Sequence, residues 1–164
     1  MATRITTAAL GEDLAAFLES GVSIVAASCD AAGRPVVGRA LGCEVAGGGT
    51  ALTLYLAATP NAALLQAVSG TGRIAVVFTQ PSNHRSIQVK GEAAVVAPAG
   101  AQAQPLLARH VAEFCADLAL IGFSEPFTRT FMAHDPGDVV SVSFSPAEIF
   151  DQTPGPRAGS PLAS

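Results

Sequence analysis

Tryptophan is absent from this 164-residue chain, tyrosine occurs once, and aromatic residues make up only 5% of it. Its core has to be filled mainly by aliphatic side chains. Charge is scarce too: 13% of residues are charged and 49% hydrophobic, with a mean hydropathy of +0.42. So little charge cannot cover the surface of an isolated domain, which points to self-association. Only 9 residues are Lys or Arg, none of them clustered, and the net charge is −4. Nucleic acid is an unsuitable partner, because phosphate neutralisation needs a basic stripe. The three cysteines, Cys29, Cys43 and Cys115, are odd in number and widely spaced. They fit neither a disulfide framework nor a zinc site and read as buried reduced thiols. No apolar run approaches the roughly 20 residues of a membrane span, and the N-terminus lacks an apolar segment followed by a cleavage site. A cytoplasmic protein is expected, with one domain large enough for a real core.

The periodicities indicate mixed structure. Residues 7–20 carry Leu10, Leu14, Phe17 and Leu18 at helical spacing, closed by Gly21. Residues 22–28 and 34–45 read as a hairpin around the Asp30 to Gly33 turn, and Gly47-Gly48-Gly49 turns the chain into a third strand at 50–57. A short helix at 61–69 follows, with Thr59 as its N-cap and Leu64, Leu65 and Val68 along one stripe. Strands at 72–79 and 84–96, a helix at 102–120 and a last strand at 139–150 complete a six-stranded antiparallel barrel with peripheral helices, mainly β in class. The domain covers residues 1–150. Residues 151–164 are rich in Pro, Gly and Ser and read as an extended or disordered tail.

Hydrolytic signatures, phosphate loops and metal clusters are missing, and His84, His110 and His134 are scattered. His110, on an apolar helix, reads as structural. The residues that bear on binding lie on strands and at strand ends. Arg39 stands in the apolar run VVGRALG and either snorkels or holds an anion. Thr59-Pro60-Asn61 is either a plain helix start or a phosphate cradle. Ser86, Gln88 and Lys90 alternate with Ile87 and Val89, so they form either a solvated face or a ligand wall.

The order of these elements, with Gly-x-Pro-x-x-x-Arg at 33–39, AATPN at 57–61 and RSIQVKGEA at 85–93, resembles the pyridoxamine 5'-phosphate oxidase-like FMN-binding split barrels. The resemblance covers residues 10–96 in detail. It implies a homodimer with FMN at the seam, and a cofactor-binding set of Arg39, Ala40, Leu41, Thr59, Asn61, Ser86 and Gln88. It implies Arg39 and Thr59 for the phosphate, Asn61 for phosphate or ribityl, and Ser86 and Gln88 for the ring. The family's basic positions fall here on Pro60, Asn61 and, near a further lysine, Glu44, so the phosphate is poorly provided for. A true oxidase of pyridoxamine phosphate is disfavoured, because its C-terminal tryptophan is absent and the only late arginine is Arg157.

The leading expectation is therefore a flavin-dependent oxidoreductase acting on an unidentified small molecule. The alternative is a non-catalytic binding or sensing dimer that uses the same barrel for haem, another ligand or no cofactor. A purely structural interaction domain is a third reading.

Overall fold

The computed structural model describes residues 9–162. Its elements run α1 (Glu12–Glu19), β1 (Ser23–Cys29), β2 (Pro35–Arg39), β3 (Gly42–Ala46), β4 (Ala51–Ala57), α2 (Ala62–Thr71), β5 (Ile74–Thr79), β6 (Ser86–Pro98), α3 (Ala103–Ala119), α4 (Glu125–Phe131), β7 (Val139–Asp151) and β8 (Ser160–Pro161). The strands form one antiparallel sheet in the order β2-β1-β5-β6-β7-β4-β3, with β8 added to β7.

The expected strand at 34–45 is in fact two. Its first half pairs with β1 and its second half with β4, and the chain crosses between the two ends of the sheet at Ala40 and Leu41. There the Ala40 N–H donates to the Ile24 carbonyl (3.1 Å) and the Leu41 N–H to the Tyr55 carbonyl (2.7 Å). The sheet is thus not closed by a continuous ladder, although its two edges are consecutive pieces of one chain. This division and the two-residue β8 raise the expected six strands to eight.

Alternation then sorts the side chains. Ile24, Ala26, Val76, Phe78, Ile87, Val89 and Ile149 point inward and join Leu52, Leu54 and Leu56 in the main core, with Leu18 and Phe17 of α1 and Leu64 and Val68 of α2 plugging the ends. A second cluster lies outside the barrel, where Leu107, Phe114 and Leu118 of α3 cover Leu41, Tyr55 and Val139. Leu10 is buried in the core but precedes α1. Its N–H donates to the Gly49 carbonyl instead of entering a helical ladder. Thr7 and Ala8 of the expected helix lie outside the described residues. Cys43 and Cys115 are buried as expected, whereas Cys29 is half-buried.

α4 has no counterpart among the expected elements. Ser124 caps it, accepting from the Phe127 N–H at 3.4 Å, Pro126 lies in its first turn, and Glu125 pairs with Arg129 at 2.7 Å. The loop before β6 is anchored from the helical layer: the buried Asp117 carboxylate accepts from Gln80 Nε2 (2.9 Å), the Ser82 N–H (3.0 Å) and the Ser82 hydroxyl.

The tail departs from the expectation of looseness over its described residues. The Gln152 N–H donates to the Ser86 carbonyl (2.8 Å), the Gly159 N–H to Asp151 (2.7 Å) and the Leu162 N–H to Ile149 (2.8 Å). The Thr153 hydroxyl accepts from the Ser86 N–H at 3.0 Å. Truncation after Phe150 removes these bonds and leaves Ser86 and Ile87 at the start of β6 without their neighbours on that side. It is expected to lower stability by about 2–3 kcal/mol, since each net hydrogen bond contributes roughly 1 kcal/mol. Urea denaturation of the truncated chain measures this, and an unchanged midpoint would return the tail to a passive role.

Candidate functional site

Strand register places a row of side chains on the outer face of the sheet. Arg39 stands opposite Val25, Val25 opposite Val77, Val77 opposite Gln88 and Gln88 opposite Phe150. The neighbouring row runs Val37, Ala27, Ala75, Lys90 and Glu148. β1 and β5 are therefore apolar on both faces, a pattern that fits burial on both sides. Yet Val25 is 38% and Val37 66% exposed. Beside the second row a cleft of about 390 Å³ is lined by Ala27, Ala75, Lys90 and Glu148 together with Cys29 and Arg73.

The ends of the strip are polar. Gln88 Oε1 accepts from Gln152 Nε2 at 3.3 Å. Lys90 stands 4.7 Å over the Phe150 ring and 3.5 Å from Glu148. Ser86 is buried; its hydroxyl donates to the His84 carbonyl and meets the Thr79 hydroxyl, both at 3.0 Å. Gln88 thus faces outward with Lys90, while Ser86 is tied into the loop that leads to β6.

At the other end, the Arg39 guanidinium lies 3.7 Å from the centroid of the Phe131 ring. Burial pushes it below its ordinary pKa, and the aromatic face offsets part of that desolvation. Phe123, Phe127 and Phe131 recur every fourth residue, and their rings stack at centroid distances of 5.2 and 6.2 Å along one side of α4. All three are about half exposed, so the apolar strip continues from the sheet onto α4.

Asn61 joins Arg39 to the neighbouring turn. Its Oδ1 accepts from the Arg39 N–H (3.2 Å), and its Nδ2 donates to the carbonyls of Ala57 (2.8 Å) and Arg39 (3.3 Å). Gly38 makes room for it, because a Cβ there would meet the Asn61 carboxamide. The N-cap of α2 is Asn61, not the expected Thr59. Thr59 instead faces Asp138: its N–H donates to Oδ2 at 3.0 Å and its hydroxyl to Oδ1 at 2.8 Å, while the Ala58 N–H donates to the Asp138 carbonyl at 2.7 Å.

The structure thus brings Arg39, Thr59 and Asn61 together at one end of the strip and Gln88 at the other, while Ala40 is buried in the main core and Leu41 in the second cluster. Sequence reasoning missed Phe131, Asp138, Gln152 and Thr153. The four-residue phenylalanine spacing was a readable signal for the first. Asp138 gave none, since it meets Thr59 across 79 residues.

This arrangement does not fit an FMN phosphate. A phosphate monoester carries between one and two negative charges. Here both Thr59 donors are spent on a carboxylate and Asn61 is spent on backbone, which leaves Arg39 alone to receive it. Bringing one further unit charge within 4 Å of Asp138 costs on the order of 1–4 kcal/mol between water-like and protein-like screening. Glu44, near the position where the resemblance places a lysine, accepts from the Tyr55 hydroxyl at 3.0 Å.

No protein-family model matches the chain, and no curated protein matches it in sequence. Solved structures match in shape. An F420 reductase superposes with a TM-score of 0.54 at 19% identity, over 82% of this chain and 93% of its own. HupZ of Group A Streptococcus gives 0.55 at 14%, over 90% and 98%. A candidate pyridoxamine 5'-phosphate oxidase from Lactobacillus delbrueckii gives 0.54 at 17%, over 89% and 97%. At such identities the likeness speaks for the backbone architecture, and that architecture is the split barrel of the pyridoxamine 5'-phosphate oxidase-like proteins.

Proposed function

We propose that this chain is a homodimeric split-barrel protein that holds a planar aromatic ligand of the flavin type against the strip from Arg39 to Phe150, at the seam with a second copy. The strip itself carries this reading. It is apolar in the middle, has a guanidinium at one end and carboxamides at the other, and stays open although its strands have the composition of doubly covered ones. A planar ring needs an apolar surface to stack on and a few hydrogen-bonding groups to orient it. Those are the groups present.

Two activities share this geometry. The fold likeness to an F420 reductase supports an oxidoreductase, in which the bound group would supply the redox chemistry and the protein the binding and orientation. The carboxylate on Thr59 supports the non-catalytic binding or sensing dimer, and we give that reading precedence because it rests on residues of this chain.

An ultraviolet-visible spectrum and a melting curve, taken with FMN, riboflavin and hemin in turn, test the proposal. A ligand at a hundredfold excess over its dissociation constant should stabilise the protein by about 2.7 kcal/mol, on the order of 5–10 °C for a domain of this size. Sedimentation should show a dimer at micromolar concentration. A monomer that responds to none of the three ligands would end the proposal.

A further inference from the structure

We infer that the segment from α4 to Asp138 sets the ligand class of this barrel, by supplying from within the protein what a phosphate would otherwise supply. The inference rests on the ligand reading above and narrows it: the ligand lacks a phosphate at the Arg39 end.

One stretch of chain covers both anion-binding groups. Phe131, the last residue of α4, lies flat on the Arg39 guanidinium at 3.7 Å. Seven residues on, Asp138 takes both donors of Thr59, one on each carboxylate oxygen. The chain between them is held in place. The Asp135 side chain accepts from the Gly137 N–H at 2.8 Å, the Asp138 N–H donates to the Asp135 carbonyl at 3.0 Å, and Val139 starts β7 beside Ala57 of β4. Asp138 is therefore positioned by the last strand, and it reaches the turn after β4 because β4 and β7 are paired. Arg39 is in none of the ion pairs among the described residues, so its charge remains available. Phe131 stacks on one face of the guanidinium and leaves clear of the ring the N–H donors that lie in the plane of the group, so the discrimination against a phosphate is carried by Asp138. Asp138 acts on specificity through Thr59 and is a positioning residue.

FMN and riboflavin differ only by the phosphate, so their relative affinities report on this end of the site alone. Both are titrated by quenching of flavin fluorescence. The unaltered protein is expected to bind riboflavin at least as tightly as FMN. In Asp138→Ser, which removes the charge and keeps a short hydroxyl, FMN binding should strengthen about tenfold, a change of about 1.4 kcal/mol, while riboflavin binding stays the same. A tenfold preference of the unaltered protein for FMN, or an unchanged FMN-to-riboflavin ratio in Asp138→Ser, would overturn the inference.

If neither flavin binds either protein, the ligand reading of the previous section fails separately. The inference is then decided by inorganic phosphate: it should raise the melting temperature of Asp138→Ser and leave the unaltered protein unmoved. An identical response in both would overturn it. Circular dichroism of Asp138→Ser establishes that the variant is folded before either comparison.

Discussion

Replacing Gly21 with alanine is expected to destabilise the protein by about 3 kcal/mol, at the upper end of ordinary overpacking. The reason is contact with backbone. A Cβ at this buried position would overlap the main chain of α3 at Glu113 and Phe114. A flexible side chain could move aside, but a helix backbone cannot without shifting the whole helix, and α3 carries Leu107, Phe114 and Leu118 onto Leu41, Tyr55 and Val139. Chemical denaturation should show the loss, and amide exchange should place the weakening in α3. A loss under about 0.5 kcal/mol, the range of an ordinary surface substitution, would mean that α3 is not docked on this turn.

Lowering the pH from 6.5 to about 4 should remove roughly 3 kcal/mol of stability through one residue, His110. Its imidazole is buried, and Nδ1 has no hydrogen-bond partner among the described residues. Burial first, opposed by hydrogen bonds at Val22 and Ser20, brings its pKa down from 6.5 to about 4. The unfolded chain then binds a proton that the folded chain refuses. Stability is therefore complete above pH 6.5 and declines as the pH falls towards 4, by about 1.4 kcal/mol for each pH unit crossed between those two values. Asp30 and Asp151 act in a lower window. Their carboxyls are held below the usual range, chiefly by hydrogen bonds to Arg34 and Thr153 respectively, so their contributions are lost only in stronger acid. His110→Leu should flatten the profile between pH 6.5 and 4. An unaltered slope would place the sensitivity elsewhere.

Both predictions concern residues the sequence marked for a different or weaker reason. Gly21 read as the stop of a helix, whereas the C-cap is Ser20, in extended conformation; the glycine is needed for the approach of α3, which is distant in sequence. His110 read as structural because its helix is apolar. The structure buries it, and it adds the unpartnered nitrogen that the sequence did not reveal. Arg39 is similar: its charge in an apolar run marked it out, and only the fold supplied Phe131 as its neighbour.

The sequence by itself determined most of the elements and their faces, with α4, β8 and the buried Ser86 as exceptions, because period-two alternation and helical spacing depend only on local backbone geometry. Hence Ile87 and Val89 inside, Gln88 and Lys90 outside, and the antiparallel plan were all legible. Its low charge also set the expectation that some surface is covered by a second copy. Tertiary structure alone decided the split of the second strand across the two sheet edges, the return of the tail onto Ser86 and the placing of Asp138 on Thr59. Each depends on which strands become neighbours, and a long-range pairing leaves no period in the chain for a reader to find.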